Sequence, residues 1–176
     1  MKVTDEIVVA GAVRKPIGQV NKSLANYLSW ELGKMVGEGV IKQSGIPKDK
    51  IGCVICAEIG QSSKSPNTGR VISVALGLRD EIPAMTVANN CVSSFEAMTD
   101  AMRRIMLKEH ECVLVVGTES MSNFPIYLDN ARKNSKTANP DKIKANLAGL
   151  PDPEKDGIQL IASIGGGLPY PATALM

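Results

Sequence analysis

Apolar residues along this chain come in short runs separated by longer amphipathic stretches, the pattern of strands alternating with helices. Ile7 to Ala10 reads as a buried strand, and Leu24, Tyr27, Leu28, Leu32, Met35 and Val36 fall on one helix face. A strand follows around Val54-Ile55, then a short helix carrying Val71, Ile72, Ala75 and Leu76. Ala84 to Val87 reads as the next strand. After a polar turn, Phe95, Met98, Met102, Ile105 and Met106 recur at three- and four-residue steps, predicting a helix with that face buried. Cys112 to Val116 is the last strand of the series. The order predicts an α/β fold with a largely parallel or mixed sheet flanked by helices on both faces.

From about Asn130 the pattern changes to a basic, polar stretch, Arg132 to Lys136 with Lys142 and Lys144, followed by Pro151, Pro153 and Gly165-Gly166-Gly167. Such a run is ordinarily a solvated face, and the glycines lack the Gly-Lys-Ser/Thr that completes a phosphate-binding loop. Two segments are expected: residues 1–127 as the α/β unit, and 128–176 as a flexible tail or part of a second unit.

Cys91 is the residue that most changes this picture, because it falls where the strand Ala84 to Val87 ends and the amphipathic helix begins. The first N–H groups of a helix lack intrahelical partners, and its dipole places positive charge there, so a sulfur at that position can serve as a nucleophile. Asn89 and Asn90 suit a tight turn ahead of it, as cap or in left-handed backbone. The junction lies beyond a strand's carboxyl end, where open α/β sheets bind ligands. Against this, a free cysteine in an apolar context is commonly a packed core residue.

The other cysteines invite a metal or redox reading, since Cys53-Val54-Ile55-Cys56 has the C-x-x-C spacing. In a strand, however, side chains alternate, so positions 53 and 56 point to opposite faces, and no second pair completes a metal site. Cys53, Cys56 and Cys112 are expected to be core thiols of a reducing compartment. The sole histidine, His110, lies in the charged link Lys108-Glu109-His110-Glu111, at the strand end opposite the expected crevice. Arg103 and Arg104 sit late in the Cys91 helix, where cations complement its dipole. Arg14 suits a turn or interface role.

With 176 residues, 44% hydrophobic content and a net charge of +2, the chain has the makings of one core and no general attraction for nucleic acid or anionic membrane. It opens without a charged-then-apolar leader pattern, and no apolar run approaches the ~18 residues that span a bilayer. A cytoplasmic location is the expectation.

Four ordered segments resemble the thiolase family. Ala12-Val13-Arg14-Lys15-Pro16-Ile17-Gly18 is similar to its A-x-R-T-P-I-G opening; Gly69-Arg70 and Gly77-Leu78 lead into Ile82 to Val87; Cys91-Val92-Ser93-Ser94 follows; and Val116-Gly117-Thr118-Glu119-Ser120-Met121-Ser122-Asn123 looks like G-G-x-E-S-M-S-N. The resemblance covers about residues 6 to 127. It departs at Ala88, Asn90, Ser94 and Val116, where the family usually has Asn, an apolar residue, Gly and Gly. The Gly-His-Pro, Cys-x-Gly and Asn-Glu-Ala-Phe segments of the family's second half are not in this sequence.

The resemblance implies the N-terminal half of a thiolase-like layered fold with an incomplete loop domain, and a fifth strand that returns after that insertion; no such strand is evident in the pattern. It implies that Cys91 accepts an acyl group from acyl-CoA, that its backbone N–H helps hold the developing oxyanion, and that a coenzyme A thioester is the substrate, with no tightly bound cofactor and no metal. The associated metabolism is that of lipids. Glu119 and Ser122 would shape the turn into the loop domain or an interface, and Met85-Thr86-Val87 would pair with a twofold mate. Two readings follow: an acetyl-CoA acetyltransferase-type component, acting as a homo-oligomer or with a chain carrying the second half, or a non-catalytic interaction subunit that keeps the fold.

Overall fold

The computed structural model describes residues 6–62, 64–125 and, as backbone, 173–175. Strands β1 (Ala12–Arg14), β2 (Cys53–Ala57), β3 (Ala84–Val87), β4 (Val113–Gly117) and β5 (Thr173–Leu175) form one mixed sheet in the order β1-β5-β4-β2-β3. β2 runs parallel to both β3 and β4, whereas β5 is antiparallel to β4 and β1. Helices α1 (Ser29–Ser44), α2 (Thr68–Ala75) and α3 (Ser93–Met106) complete the layers. The expected α/β architecture with helices on both faces is what the structure shows. No helix among the described residues is long and apolar enough to cross a membrane.

β2 and β4 are buried on both faces, as central parallel strands covered by helices must be. Their alternation sorts the core in two. Val54 and Cys56 join Leu32, Val36, Val40, Ile72, Leu76, Leu114 and Val116 beneath α1 and α2. Cys53, Ile55 and Ala57 join Val113, Val115, Ala97 and Ala101 beneath α3. Cys53 and Cys56 thus occupy opposite faces, as strand geometry requires, and both are fully buried. Burial pushes both thiols up, Cys56 well up, and Cys112 is raised for the same reason.

Three elements differ from the sequence pattern in position or face. The first strand is Ala12–Arg14 rather than Ile7 to Ala10, and Val8 is 66% exposed. Only from Ala12 does the chain meet β5, in the register Ala12 with Leu175 and Arg14 with Thr173, so pairing rather than apolarity sets the strand. That partner is the fifth strand, whose three residues are too few to show an alternation. α1 begins at Ser29, with Leu24 and Tyr27 in the turns before it; the Glu31 carboxylate accepts the Leu28 N–H at 2.8 Å and closes the N-terminus. In α3 the helix is where the spacing puts it, but the buried residues are Ser93, Ala97 and Ala101, while Phe95, Met98 and Met102 are exposed. Small residues let α3 lie close on the sheet, which turns the bulky stripe outward.

Close approach also governs the other face. A Cβ at Gly37 of α1 would lie 2.9 Å from Cδ1 of Leu76, the C-cap of α2. A Cβ at Gly69, in the first turn of α2, would run into the backbone carbonyl oxygen of Met85 in β3. Gly69 N–H donates to Thr86 Oγ1 at 3.0 Å, and Asn67 caps α2 by accepting the Arg70 N–H at 3.2 Å. The tail and basic run, residues 128–172, lie outside the described residues, as does the boundary expected at 127/128.

Because the obstacle at Gly69 is backbone, Gly69→Ala is expected to destabilise by about 2 kcal/mol or more. Gly39→Ala, whose Cβ would meet Val13 at an ordinary 3.5 Å, should stabilise α1 by about 0.5–1 kcal/mol. Urea unfolding checks both, and equal midpoints would contradict the tight α2–β3 contact.

Candidate active site

The turn between β3 and α3 is built around two side chains. Asn90 adopts left-handed backbone with φ 48°, a conformation Asn tolerates better than most residues, and reverses the chain. Ser93 then braces the reversal: its hydroxyl donates to the Asn90 carbonyl and accepts the Asn89 N–H, both at 2.7 Å. Backbone bonds from Val92 N–H to Asn89 O and from Ser93 N–H to Asn90 O, each 3.2 Å, close the same turn. Cys91 is carried at its apex, exposed, two residues ahead of the first helical residue. The sequence pattern places it at the start of the helix; the turn puts it on the N-terminal rim.

Cys91 faces a cleft of about 260 Å³ whose walls include Glu58, Asn90, Ser94, Phe95 and Glu119. The parallel registers bring it about: Ala57 is level with Val87 on one side and Gly117 on the other, so the residues after three strands emerge abreast. Thr118 N–H donates to Ala57 O at 3.0 Å, and Glu58 N–H to Val87 O at 3.2 Å, which extends the alignment past the strand ends. The cleft therefore lies at the carboxyl edge of the sheet, where the topology predicts ligand binding. His110 lies at the other edge, beside Gly52, whose N–H donates to Cys112 O.

Two acidic residues line this cleft. Glu119 is buried and accepts the N–H groups of Ile59 at 2.9 Å and Gly60 at 3.2 Å. Burial raises its pKa, and those amide bonds partly offset the rise, while the charge of Glu58 adds to it. Glu58 is only 2% exposed, and neither carboxyl oxygen has a hydrogen-bond partner among the described residues. Burial pushes it up too, moderated by the nearby Ser29 and Thr68 hydroxyls. Those hydroxyls fall short of hydrogen-bond geometry with it; Thr68 Oγ1 donates instead to Ser65 O at 3.1 Å.

The segment after β4 clamps the loop that leads into α1. Thr118 Oγ1 donates to Ser29 O at 2.7 Å, Ser120 Oγ to Tyr27 O at 2.8 Å, and Asn123 Nδ2 to Ala25 O at 2.9 Å. Ser122 Oγ accepts Asn21 N–H at 2.9 Å. Glu119 and Ser122 thus hold turns within the described unit. Arg104 bonds Asp100 at 2.9 Å, Glu109 at 3.4 Å and Met85 Sδ at 3.7 Å, and Arg103 bonds Glu96 at 3.4 Å, so Arg103 serves α3 while Arg104 also ties it to β3 and the following link. Arg14 lies exposed on β1, away from the cleft's lining. Glu58 and Ser93 are the site residues that the sequence reading passes over. An acidic residue directly after a wholly apolar strand, at its carboxyl end, is the signal for the first.

The folded protein holds the Glu58 proton more tightly than the unfolded chain does. Stability is therefore lost as pH rises from the ordinary carboxylate range through the raised folded value. Glu58→Gln should match wild type near pH 4 and exceed it at pH 7 by on the order of 1 kcal/mol. A difference between the two that stays constant with pH in chemical unfolding would contradict this burial.

Comparison with known proteins places the chain in a family. Residues 7–153 match the family described as "Thiolase, N-terminal domain". A probable acetyl-CoA acetyltransferase of Mycobacterium tuberculosis is 31% identical over 134 residues, covering 76% of this chain and 34% of that protein. The solved acetyl-CoA acetyltransferase of Syntrophomonas wolfei superposes with a TM-score of 0.69 at 29% identity, over 75% of this chain and 33% of that one. Human mitochondrial 3-ketoacyl-CoA thiolase, solved in complex with CoA, gives 0.69 at 27% identity over 74% and 34%. The chain spans about a third of the length of these relatives. It belongs to the thiolase family, whose N-terminal domain it carries.

Proposed function

We propose that this chain is the acyl-accepting component of an acyl-CoA C-acyltransferase of the acetyl-CoA acetyltransferase type. Cys91 Sγ attacks the thioester carbonyl of an acyl-CoA, the tetrahedral intermediate expels CoA, and the acyl group rests on the sulfur. It then passes to the enolate of a second acyl-CoA in Claisen condensation, or to CoA in thiolysis. The observation that carries this reading is the placement of Cys91: an exposed thiol on a braced turn, at the N-terminal rim of α3, facing a cleft at the sheet's carboxyl edge. Backbone N–H groups at such a rim suit a developing oxyanion. The segments that in this family handle the substrate α-proton would come from a second-half chain, giving a complete site only in the assembly.

β3 forms hydrogen bonds on one side only among the described strands, and the exposed Phe95, Met98 and Met102 of α3 form an apolar face. These features support pairing of β3 with a second copy. They equally support the second reading, an interaction subunit without turnover. Light scattering coupled to sizing should give a dimer, and a compact monomer would count against this pairing.

Acetyl-CoA is the discriminating reagent. Intact-mass measurement should show an adduct of one acetyl group on the wild-type chain, alone or with a chain carrying the second half, and none on Cys91→Ala. A folded protein that gains no adduct in either setting would overturn the acyltransferase reading and leave the interaction subunit.

A further inference from the structure

The polar side chains that line the cleft are mostly committed to the fold. Ser93 Oγ is spent on the turn, Thr118 Oγ1 donates to Ser29 O, and the Glu119 carboxylate accepts the N–H groups of Ile59 and Gly60. Both Glu58 carboxyl oxygens are closed off from solvent, so they are not offered to a molecule in the cleft. Two polar side chains are left over. The Asn90 amide and the Ser94 hydroxyl have no hydrogen-bond partner among the described residues, and both residues are exposed and line the cleft.

These two flank the nucleophile. Asn90 is joined to Cys91 by one peptide bond, and Ser94 stands three residues on, in the first turn of α3. Asn90 occupies a left-handed position, φ 48°, for which glycine is the default residue, so the turn alone does not account for an amide there. The N-terminus of α3 has no side-chain cap, so the Ser94 hydroxyl is not accounted for by capping either. The remaining wall includes Ala57, Ile59 and Phe95, and no lysine, arginine or histidine lines the cleft. In a largely apolar pocket, the few uncommitted polar groups are the ones that choose the ligand.

We propose that Asn90 and Ser94 are specificity-determining residues, which select a short, neutral acyl group carrying a hydroxyl over a hydrocarbon chain of the same length. The inference rests on the reading of Cys91 as acyl acceptor and deepens it by naming the acyl class. The substrate hydroxyl donates to Asn90 Oδ1 and accepts from the Ser94 hydroxyl, two bonds that an unsubstituted chain leaves unmade. An anionic acyl group finds no cation on this wall and meets Glu119 instead. The transfer is a thioester exchange: the Cys91 S–C bond forms, the C–S bond to CoA breaks, and the thiol proton ends on the CoA sulfur. The acyl hydroxyl is untouched.

The test follows acylation of the full chain, alone or with a chain carrying the second half, by intact mass, with peptide mass locating the adduct on Cys91. The reagents are 3-hydroxybutyryl-CoA, butyryl-CoA and succinyl-CoA. Wild type should react ~10-fold faster with 3-hydroxybutyryl-CoA than with butyryl-CoA, and slowest with succinyl-CoA. Asn90→Gly, which keeps the left-handed backbone, and Ser94→Ala should each lower the ratio of the first two rates, and the double variant should bring it to about one. Damage to the turn would slow both thioesters alike and leave that ratio where it was. Equal rates in wild type, a ratio unmoved in the folded double variant, or fastest reaction with succinyl-CoA would overturn the specificity while leaving Cys91 as acyl acceptor. No adduct from any thioester would overturn the acceptor reading and the specificity with it.

Discussion

The parallel register of β2 with β3 and β4 is the constraint on which the rest of the site depends. It makes Ala57, Val87 and Gly117 level, so the three connections that follow emerge side by side at one edge. Without that alignment, Glu58, Cys91 and Glu119 would be far-separated residues of sequence with no common cleft. The two backbone bonds beyond the strand ends, Thr118 to Ala57 and Glu58 to Val87, carry the register into the loops. Burying β2 and β4 on both faces makes the register hard to slip, since a one-residue shift would move every side chain to the wrong core.

Around that fixed edge, small groups do the positioning. Ala97 and Ala101 let α3 settle on the sheet, and Ser93 ties its first turn to the strand exit. Gly69 permits α2 to touch β3 from the other face. The thiol on the apex is consequently held by the braced turn between β3 and α3, although it is itself exposed. That presentation is what the proposed role of Cys91 as acyl acceptor requires. The buried carboxyls oppose this economy, since each loses hydration on folding. Glu119 recovers part of that cost through backbone donors, and Glu58 does not.

Much of this was legible in the sequence where a local rule suffices. Period-two alternation separates Cys53 from Cys56, and three- and four-residue spacing finds α3. Asn89-Asn90 before Cys91 marks the turn. What was not legible depends on partners distant in sequence. The inner face of α3 is chosen by how closely the helix approaches the sheet, so Ala97 and Ala101 win over Phe95, Met98 and Met102. β1 is set by its pairing with Thr173–Leu175, more than 150 residues away, rather than by the apolar run Ile7 to Ala10. Glu58 carries a local signal, an acidic residue directly after an apolar strand, but its burial follows only from the packing around β2.

The central claim is that Cys91, and no other thiol of this chain, is presented to a coenzyme A thioester. Its most direct test is peptide-resolved mass spectrometry after treatment with chloroacetyl-CoA, set against chloroacetamide, with free CoA as competitor. The account predicts modification of Cys91 alone, faster with the CoA-linked reagent and slowed by free CoA. Equal labelling of Cys53, Cys56 and Cys112 in the folded protein, or a rate at Cys91 indifferent to the CoA group, would contradict it.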